Sequence, residues 1–259
     1  MKSRKILQEL AELEKNSLEC ALCIVVNSKG STPRKPGSKM IVFPDGSFTG
    51  TVGGGELEGR VLQEAQLAIK AQKPRMIHYK MVNPQKGDPG VCGGELDVYI
   101  EPVIPESTVL IIGGGHVGQA VAHLASWLGN RVIISDDRPE LCNPQVVPDA
   151  DEFLPVPISE VSKNITITEH YYLVLTTRSI DVDVAGLPSL INSKASYIGV
   201  IGSKRRWEQT QNMLLEKGIP GELISKVRSP MGIDIKAETP EEIAVSIMAE
   251  IIQVQQLKV

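Results

Sequence analysis

Along the first hundred residues, apolar positions change rhythm several times, and each change marks an element. Ile6, Leu7, Leu10 and Leu13 recur at helical spacing and predict a helix from about Ser3 to Lys15. The apolar run from Cys20 to Asn27 predicts a buried strand. Lys39 to Phe43 and Ser47 to Val52, joined by Pro44-Asp45-Gly46, predict a hairpin. Leu57, Val61, Leu62, Ala65, Ala68 and Ile69 return to a helical period. Met76 to Val82 reads as a further strand. In the next one Leu96, Val98 and Ile100 alternate with Asp97, Tyr99 and Glu101, which gives one buried face.

Pro102, Pro105 and the polar Glu106-Ser107 then interrupt the pattern and predict a boundary, with one domain over residues 1–105 and another over 106–259. Beyond it, Val109 to Ile112 is a run of β-formers that meets glycines at 113, 115 and 118. A helical set follows at Val117, Val121, Leu124 and Leu128, and then a second apolar run from Val132 to Ile134. Strand, tight turn, helix and strand make a βαβ unit of the dinucleotide-binding kind. In such a unit Gly113 permits the turn, Gly115 lets a pyrophosphate approach the backbone, and Gly118 brings the helix close to the strand. The N–H groups of Gly115, His116 and Val117 then face the anion. Asp136 stands where an acid hydrogen-bonds a ribose. Together with Asp137 it would repel a 2′-phosphate, which favours NAD over NADP as the cofactor.

Further strands are expected at Glu152 to Leu154, Tyr171 to Thr176 and Ser196 to Ile201, with a helix over Asp181 to Ile191. The segments after two of these strands, Thr176-Thr177-Arg178 and Gly202-Ser203-Lys204-Arg205, would border the crevice, Arg178 as a ligand contact. Thr239-Pro240-Glu241-Glu242 is a capping box opening a closing helix to about Gln255. The fold class is therefore α/β: an N-terminal mixed α/β domain followed by a C-terminal Rossmann-like, doubly wound parallel sheet.

Composition narrows the function. A net charge of -4, with both signs spread along the chain, supplies no basic face for nucleic acid. There is no apolar run long enough for a membrane span, and the charged N-terminus lacks the apolar core of a secretion signal. Four cysteines without such a signal point to reduced thiols and a cytoplasmic location. Three Phe and two Trp leave the cores to aliphatic side chains. Cys20 and Cys23, three apart on a strand, point to opposite faces, so the CxxC spacing does not make a metal or disulfide pair.

Two N-terminal stretches have the make-up of anion cradles. Residues 30–38, Gly-Ser-Thr-Pro-Arg-Lys-Pro-Gly-Ser, offer Arg34 and Lys35 on a stiffened backbone. Gly53-Gly54-Gly55-Glu56 opens a helix after a strand, where only glycine lets several N–H groups converge. Ordinary turns account for the same compositions, and Glu56 and Glu58 equally suit a helix N-terminus. Cys92, beside Gly93 and Gly94, is the cysteine expected to be reachable.

Taken together, GSTPRKPGSKM (30 to 40), GTVGGGELEG (50 to 59), VCGGELDVYIEP (91 to 102), IIGGGHVG (111 to 118), DDRPE (136 to 140), IGSKRR (201 to 206) and SPMGIDIKAETPEEIAVSIMAEII (229 to 252) resemble the xanthine dehydrogenase accessory family, XdhC/CoxI. The resemblance makes residues 1–105 an XdhC/CoxI-type domain. It implies an accessory protein that binds molybdenum cofactor (molybdopterin), assists its sulfuration and hands it to an apo-xanthine dehydrogenase-type molybdoenzyme. A cysteine desulfurase as sulfur source and a homodimeric assembly are implied as well. Arg34, Lys35, Gly53, Gly54, Gly55, Glu56 and Cys92 would form the pterin site, with Cys92 next to the metal. Many relatives carry Cys where this chain has Glu56, and a carboxylate is a harder ligand that cannot carry sulfur. Two other readings stay open: an NAD-dependent oxidoreductase, and a nucleotide-responsive redox-sensing interaction module.

Overall fold

The computed structural model describes residues 3–15, 18–80 and 94–257. The chain divides into two compact units, Met1–Pro105 and Glu106–Val259. Each has a sheet covered by helices.

In the first unit β1 (Cys20–Lys29), β2 (Lys39–Val42), β3 (Phe48–Gly50), β4 (Arg75–Lys80) and β5 (Glu95–Val103) form an antiparallel sheet in the order β3-β2-β1-β5-β4. Alternation along β1 feeds two separate cores. Ala21, Cys23 and Val25 pack with Leu57, Val61 and Ala65 of α2 (Gly55–Ala71). Cys20 and Leu22 pack with Ile6 and Leu13 of α1 (Ser3–Lys15). The two cysteines thus lie on opposite faces, as their spacing requires. Leu7 departs from expectation: it is 51% exposed, while Ile6 and Leu13 carry the packing. β3 is shorter than the expected Ser47 to Val52 because Gly50 turns left-handed at φ +86. The expected end of the fourth strand at Val82 lies outside the described residues.

The second unit is a parallel sheet, β10-β9-β6-β7-β8, built from β6 (Thr108–Ile112), β7 (Arg131–Ser135), β8 (Glu152–Leu154), β9 (Tyr171–Leu175) and β10 (Tyr197–Val200). The chain leaves β6 toward β7 and β8, then crosses to β9 and β10 on the other side. This is the doubly wound sheet expected of the C-terminal half, with its switch point between β6 and β9.

On one face Val109, Ile111, Val132 and Ile134 pack with α3 (His116–Trp127) and α8 (Pro240–Gln256). On the other Leu110, Ile133, Leu173 and Leu175 pack with α5 (Ile180–Leu190) and α6 (Lys204–Glu216), next to the short helices α4 (Val161–Asn164) and α7 (Gly221–Ile224). Because β6 and β9 are buried along their whole length, each of these side chains adds about 1.5–3 kcal/mol of burial. Past β10, Arg228 exchanges backbone hydrogen bonds with Ile198 (2.8 Å) and Val200 (2.9 Å), and Met231 N–H reaches Val200 (3.3 Å), so residues 228–231 cover the outer edge of the sheet. Among the described residues no helix is long and apolar enough to cross a membrane.

Candidate functional site

The glycines after β6 have different reasons to be glycine. Gly113 adopts φ +119, and a Cβ there would meet the Thr176 carbonyl at 2.6 Å. At Gly118 a Cβ would sit 1.9 Å from the Gly113 carbonyl, which is the close helix-to-strand contact the spacing predicts. Gly114 is hemmed in by a part of the chain that local sequence did not reveal: the Leu141 carbonyl, in a 3-10 turn over Pro139–Leu141, lies 2.0 Å from its ideal Cβ. Gly115 has an ordinary φ of -71 and open space where a Cβ would be. It is the N-cap of α3, and no side chain caps it. His116 is exposed and Val117 half-buried in the first turn of the helix.

Asp136 is where the sequence places it, at the end of β7, but its hydrogen bonds are internal. It is 4% exposed. One oxygen accepts from Arg138 N (3.0 Å) and Nε (2.9 Å), the other from Gly114 N (2.9 Å) and Arg138 Nη2 (2.9 Å). Neighbouring Asp137 accepts two bonds from Arg178, 2.7 and 2.8 Å, and that guanidinium holds its carboxyl down at about 2.

Gly113, Asp136, Arg138 and Arg178 line one cavity of about 160 Å³, whose remaining walls include Val156, Ile158, Thr177 and Val182. Gly115, His116, Val117 and Gly118 do not line it.

Deeper in the same unit, Arg206 donates to the Thr177 carbonyl (3.2 Å), the Thr177 hydroxyl (3.1 Å) and Asp183 (2.7 Å). Thr177 Oγ1 also donates to Asp183. Asp183 is fully buried, and burial pushes its carboxyl up despite these partners. Of the basic cluster 204–206, the sequence pattern singles out Lys204 and Arg205, which are exposed; Arg206 is the one drawn in. The signal was available as Trp207 and Thr210, buried on the same face of α6.

In the first unit the 30–38 loop is tied to β1 by Gly37 N–H to the Val25 carbonyl (2.8 Å) and Val25 N–H to the Ser38 carbonyl (3.0 Å). Arg34 lines a cavity of about 500 Å³ with Ser38, Lys39 and Thr51, above Ile6. Lys35 is exposed and outside that lining. Sequence spacing marks Lys39 only as the start of a strand.

The triple glycine takes φ +156, +88 and +61 at Gly53, Gly54 and Gly55. A Cβ on Gly53 would come within 3.0 Å of Pro33 Cγ, so this turn lies against the 30–38 loop. Glu56 is exposed in the first turn of α2.

Cys92, the expected metal-side thiol, lies outside the described residues. Gly94, two positions on, packs so tightly on the loop that a Cβ would be 2.3 Å from the Ser31 carbonyl. Burial pushes the Cys20 thiol up to about 11 and Cys23 to about 12, so neither offers a thiolate near neutrality. Among the described residues no three His, Cys, Asp or Glu groups are placed to hold a bare metal ion.

Comparison with known proteins agrees with this layout. The family model described as the XdhC Rossmann domain matches residues 109–251, and that of the XdhC and CoxI family matches residues 13–80. The chain is 34% identical over 252 residues to the uncharacterized protein YqeB of Escherichia coli, covering 96% of this chain and 46% of YqeB. It is 32% identical over 157 residues to a probable xanthine dehydrogenase subunit from Bacillus subtilis, covering 61% of this chain and 46% of that protein. The chain thus spans less than half the length of these two relatives. Identity to the molybdenum cofactor insertion chaperone PaoD of Escherichia coli is 22%, over 97% of this chain and 88% of PaoD. A crystal structure of a xanthine dehydrogenase from Bacillus halodurans shares the fold, with a TM-score of 0.53 and 23% identity over 99% of this chain and 96% of the other.

Proposed function

This chain belongs to the XdhC and CoxI family, and from that premise we propose that it is an accessory protein for a xanthine dehydrogenase-type molybdoenzyme, binding molybdenum cofactor as cargo in its N-terminal unit. The observation that carries the reading is the meeting of two glycine-bearing segments with one basic loop. Gly53 touches Pro33, Gly94 touches Ser31, and Arg34 and Lys39 share a cavity with Ser38 and Thr51.

The chemistry of these groups fits a phosphorylated pterin. Two cations suit a phosphate, while the Ser38 and Thr51 hydroxyls donate internally to the Lys35 carbonyl and Glu58, and a turn with three successive left-handed glycines lets a flat ring lie near the backbone. In this reading Arg34 and Lys39 bind the phosphate, the 53–55 backbone supports the pterin, and Cys92 is the sulfur-bearing residue toward the metal. Glu56, exposed at the head of α2, would supply an oxygen where many relatives have a thiol, so sulfur handling would rest on Cys92 and on a cysteine desulfurase.

PaoD is named as a molybdenum cofactor insertion chaperone, and the same role is proposed here, with an apo-molybdoenzyme as recipient and a homodimer as the assembly. The cavity at Gly113, Asp136 and Arg178 is proposed as a nucleotide site serving this role.

Chain purified without oxygen and analysed by mass spectrometry of the released ligand should yield a molybdenum pterin. Arg34→Ala and Cys92→Ser should each lower its occupancy about tenfold, the scale of one charge-assisted contact. Absence of any pterin, or unchanged occupancy in both variants, would sink the proposal.

A further inference from the structure

A pair of acids at the end of β7 would, left bare, reject a phosphate on the ribose, and on sequence alone this favours NAD. In the folded unit neither acid is bare. Asp136 meets Arg138 side-on through Nε and Nη2, and Asp137 meets Arg178 end-on through Nη1 and Nη2. The two carboxylates are therefore balanced by two guanidiniums. What matters next is which partner has hydrogen-bonding capacity to spare.

Asp136 has none. Its four acceptances, from Gly114 N, Arg138 N, Arg138 Nε and Arg138 Nη2, fill the roughly four lone-pair sites of a carboxylate. At 4% exposure it cannot turn to a ribose hydroxyl without giving up the Gly114 amide. The arginines are in the opposite condition. Each uses two of about five N–H donors on its carboxylate, and their side chains remain 37% and 45% exposed. The remaining donors are those a phosphate takes best.

Cavity size limits what can be enclosed. About 160 Å³ is well below the roughly 300–1,000 Å³ of sites that enclose a whole drug-sized ligand. With Val156, Ile158 and Val182 as apolar walls, it suits a single heteroaromatic ring, with the Asp136–Arg138 and Asp137–Arg178 pairs beside it.

We infer that this crevice takes a nucleotide of the 2′-phosphoadenosine class, with Arg138 and Arg178 on the ribose phosphate, in preference to one with a free 2′-hydroxyl. The inference rests on the proposed nucleotide role of the crevice and specifies its ligand, reversing the preference for NAD that the bare sequence suggests.

Titration calorimetry of the purified chain tests it with two matched pairs, NADPH against NADH and adenosine 2′,5′-bisphosphate against adenosine 5′-monophosphate. The 2′-phosphorylated member of each pair should bind about tenfold tighter or more, the scale of one charge-assisted hydrogen bond. Added salt should narrow the gap. Arg178→Gln should bring the ratio close to one while circular dichroism still reports a folded chain, and Arg138→Gln is the second variant. Equal or tighter binding of NADH and the monophosphate would overturn the inference and leave the nucleotide site standing. A preference that survives both substitutions would overturn the assignment to these arginines. If none of the four compounds binds, the nucleotide reading falls with it.

Discussion

At the scale of single residues, the run Gly113-Gly114-Gly115 together with Gly118 shows that identical residues can be fixed by unrelated constraints. Gly118→Ala would drive a methyl to 1.9 Å from the Gly113 carbonyl, and backbone cannot swing aside as a side chain can. We expect a loss of about 1–3 kcal/mol, read as a lowered denaturant midpoint. Gly115→Ala meets open space at an ordinary φ of -71 and should stay within about 0.5 kcal/mol of the parent. If Gly115 proves as costly as Gly118, the turn is not packed as described. The roles of Gly113 and Gly118 were legible from spacing alone, because both constraints arise inside one βαβ unit. The role of Gly114 was not, since it depends on Leu141, a neighbour only in space. Asp136 shows the same limit. Its position followed from the motif, but its saturation by Gly114 and Arg138 depends on how the turn after β7 folds back.

At the scale of elements, the strands and helices were readable wherever the pattern was local. The capping box at Thr239 forms as its sequence implies, with Glu242 accepting from the Thr239 backbone at 3.2 Å and the Thr239 hydroxyl accepting from Glu242 N at 3.3 Å. The alternating strand 95–103 and the βαβ unit were equally plain. What could not be read was which element each loop would be tied to. Residues 228–233 have no period of their own; besides their backbone bonds to β10 and to Ser246, they are gathered by one acid of α8. Glu250 accepts from the Tyr197 hydroxyl (2.6 Å), Arg228 Nη1 (2.9 Å) and the Gly232 amide (2.7 Å). Arg228 also stacks over the Tyr197 ring, 5.8 Å from its centre. Glu250→Ala strands a buried hydroxyl and an amide together, and about 3 kcal/mol of stability should go with it. Chemical denaturation would measure that loss, and limited proteolysis should find its new cuts within 228–236. A change below about 0.5 kcal/mol would mean that the segment is held by something else.

At the scale of the whole molecule, each unit has its own buried cores. The second places aliphatic layers on both faces of a central parallel sheet, which is the usual requirement for independent folding. Residues 106–259 produced alone should therefore melt cooperatively with far-ultraviolet dichroism of an α/β fold; a featureless spectrum would show that they depend on the rest of the chain. The different fold types of the two halves were visible in the motifs. The order of strands was not, because pairing such as β1 with β5 joins segments some seventy residues apart that carry no local mark of each other.

The cover that residues 228–231 place over β10 has a consequence for the protein's behaviour in a crowded solution. A parallel strand with an open flank is a template on which a foreign chain can add and keep adding. Here the vulnerable flank is sealed by the molecule's own polypeptide, and the seal is latched by a carboxylate on a distant helix. Loss of that latch would then show first as turbidity and fibre growth on storage.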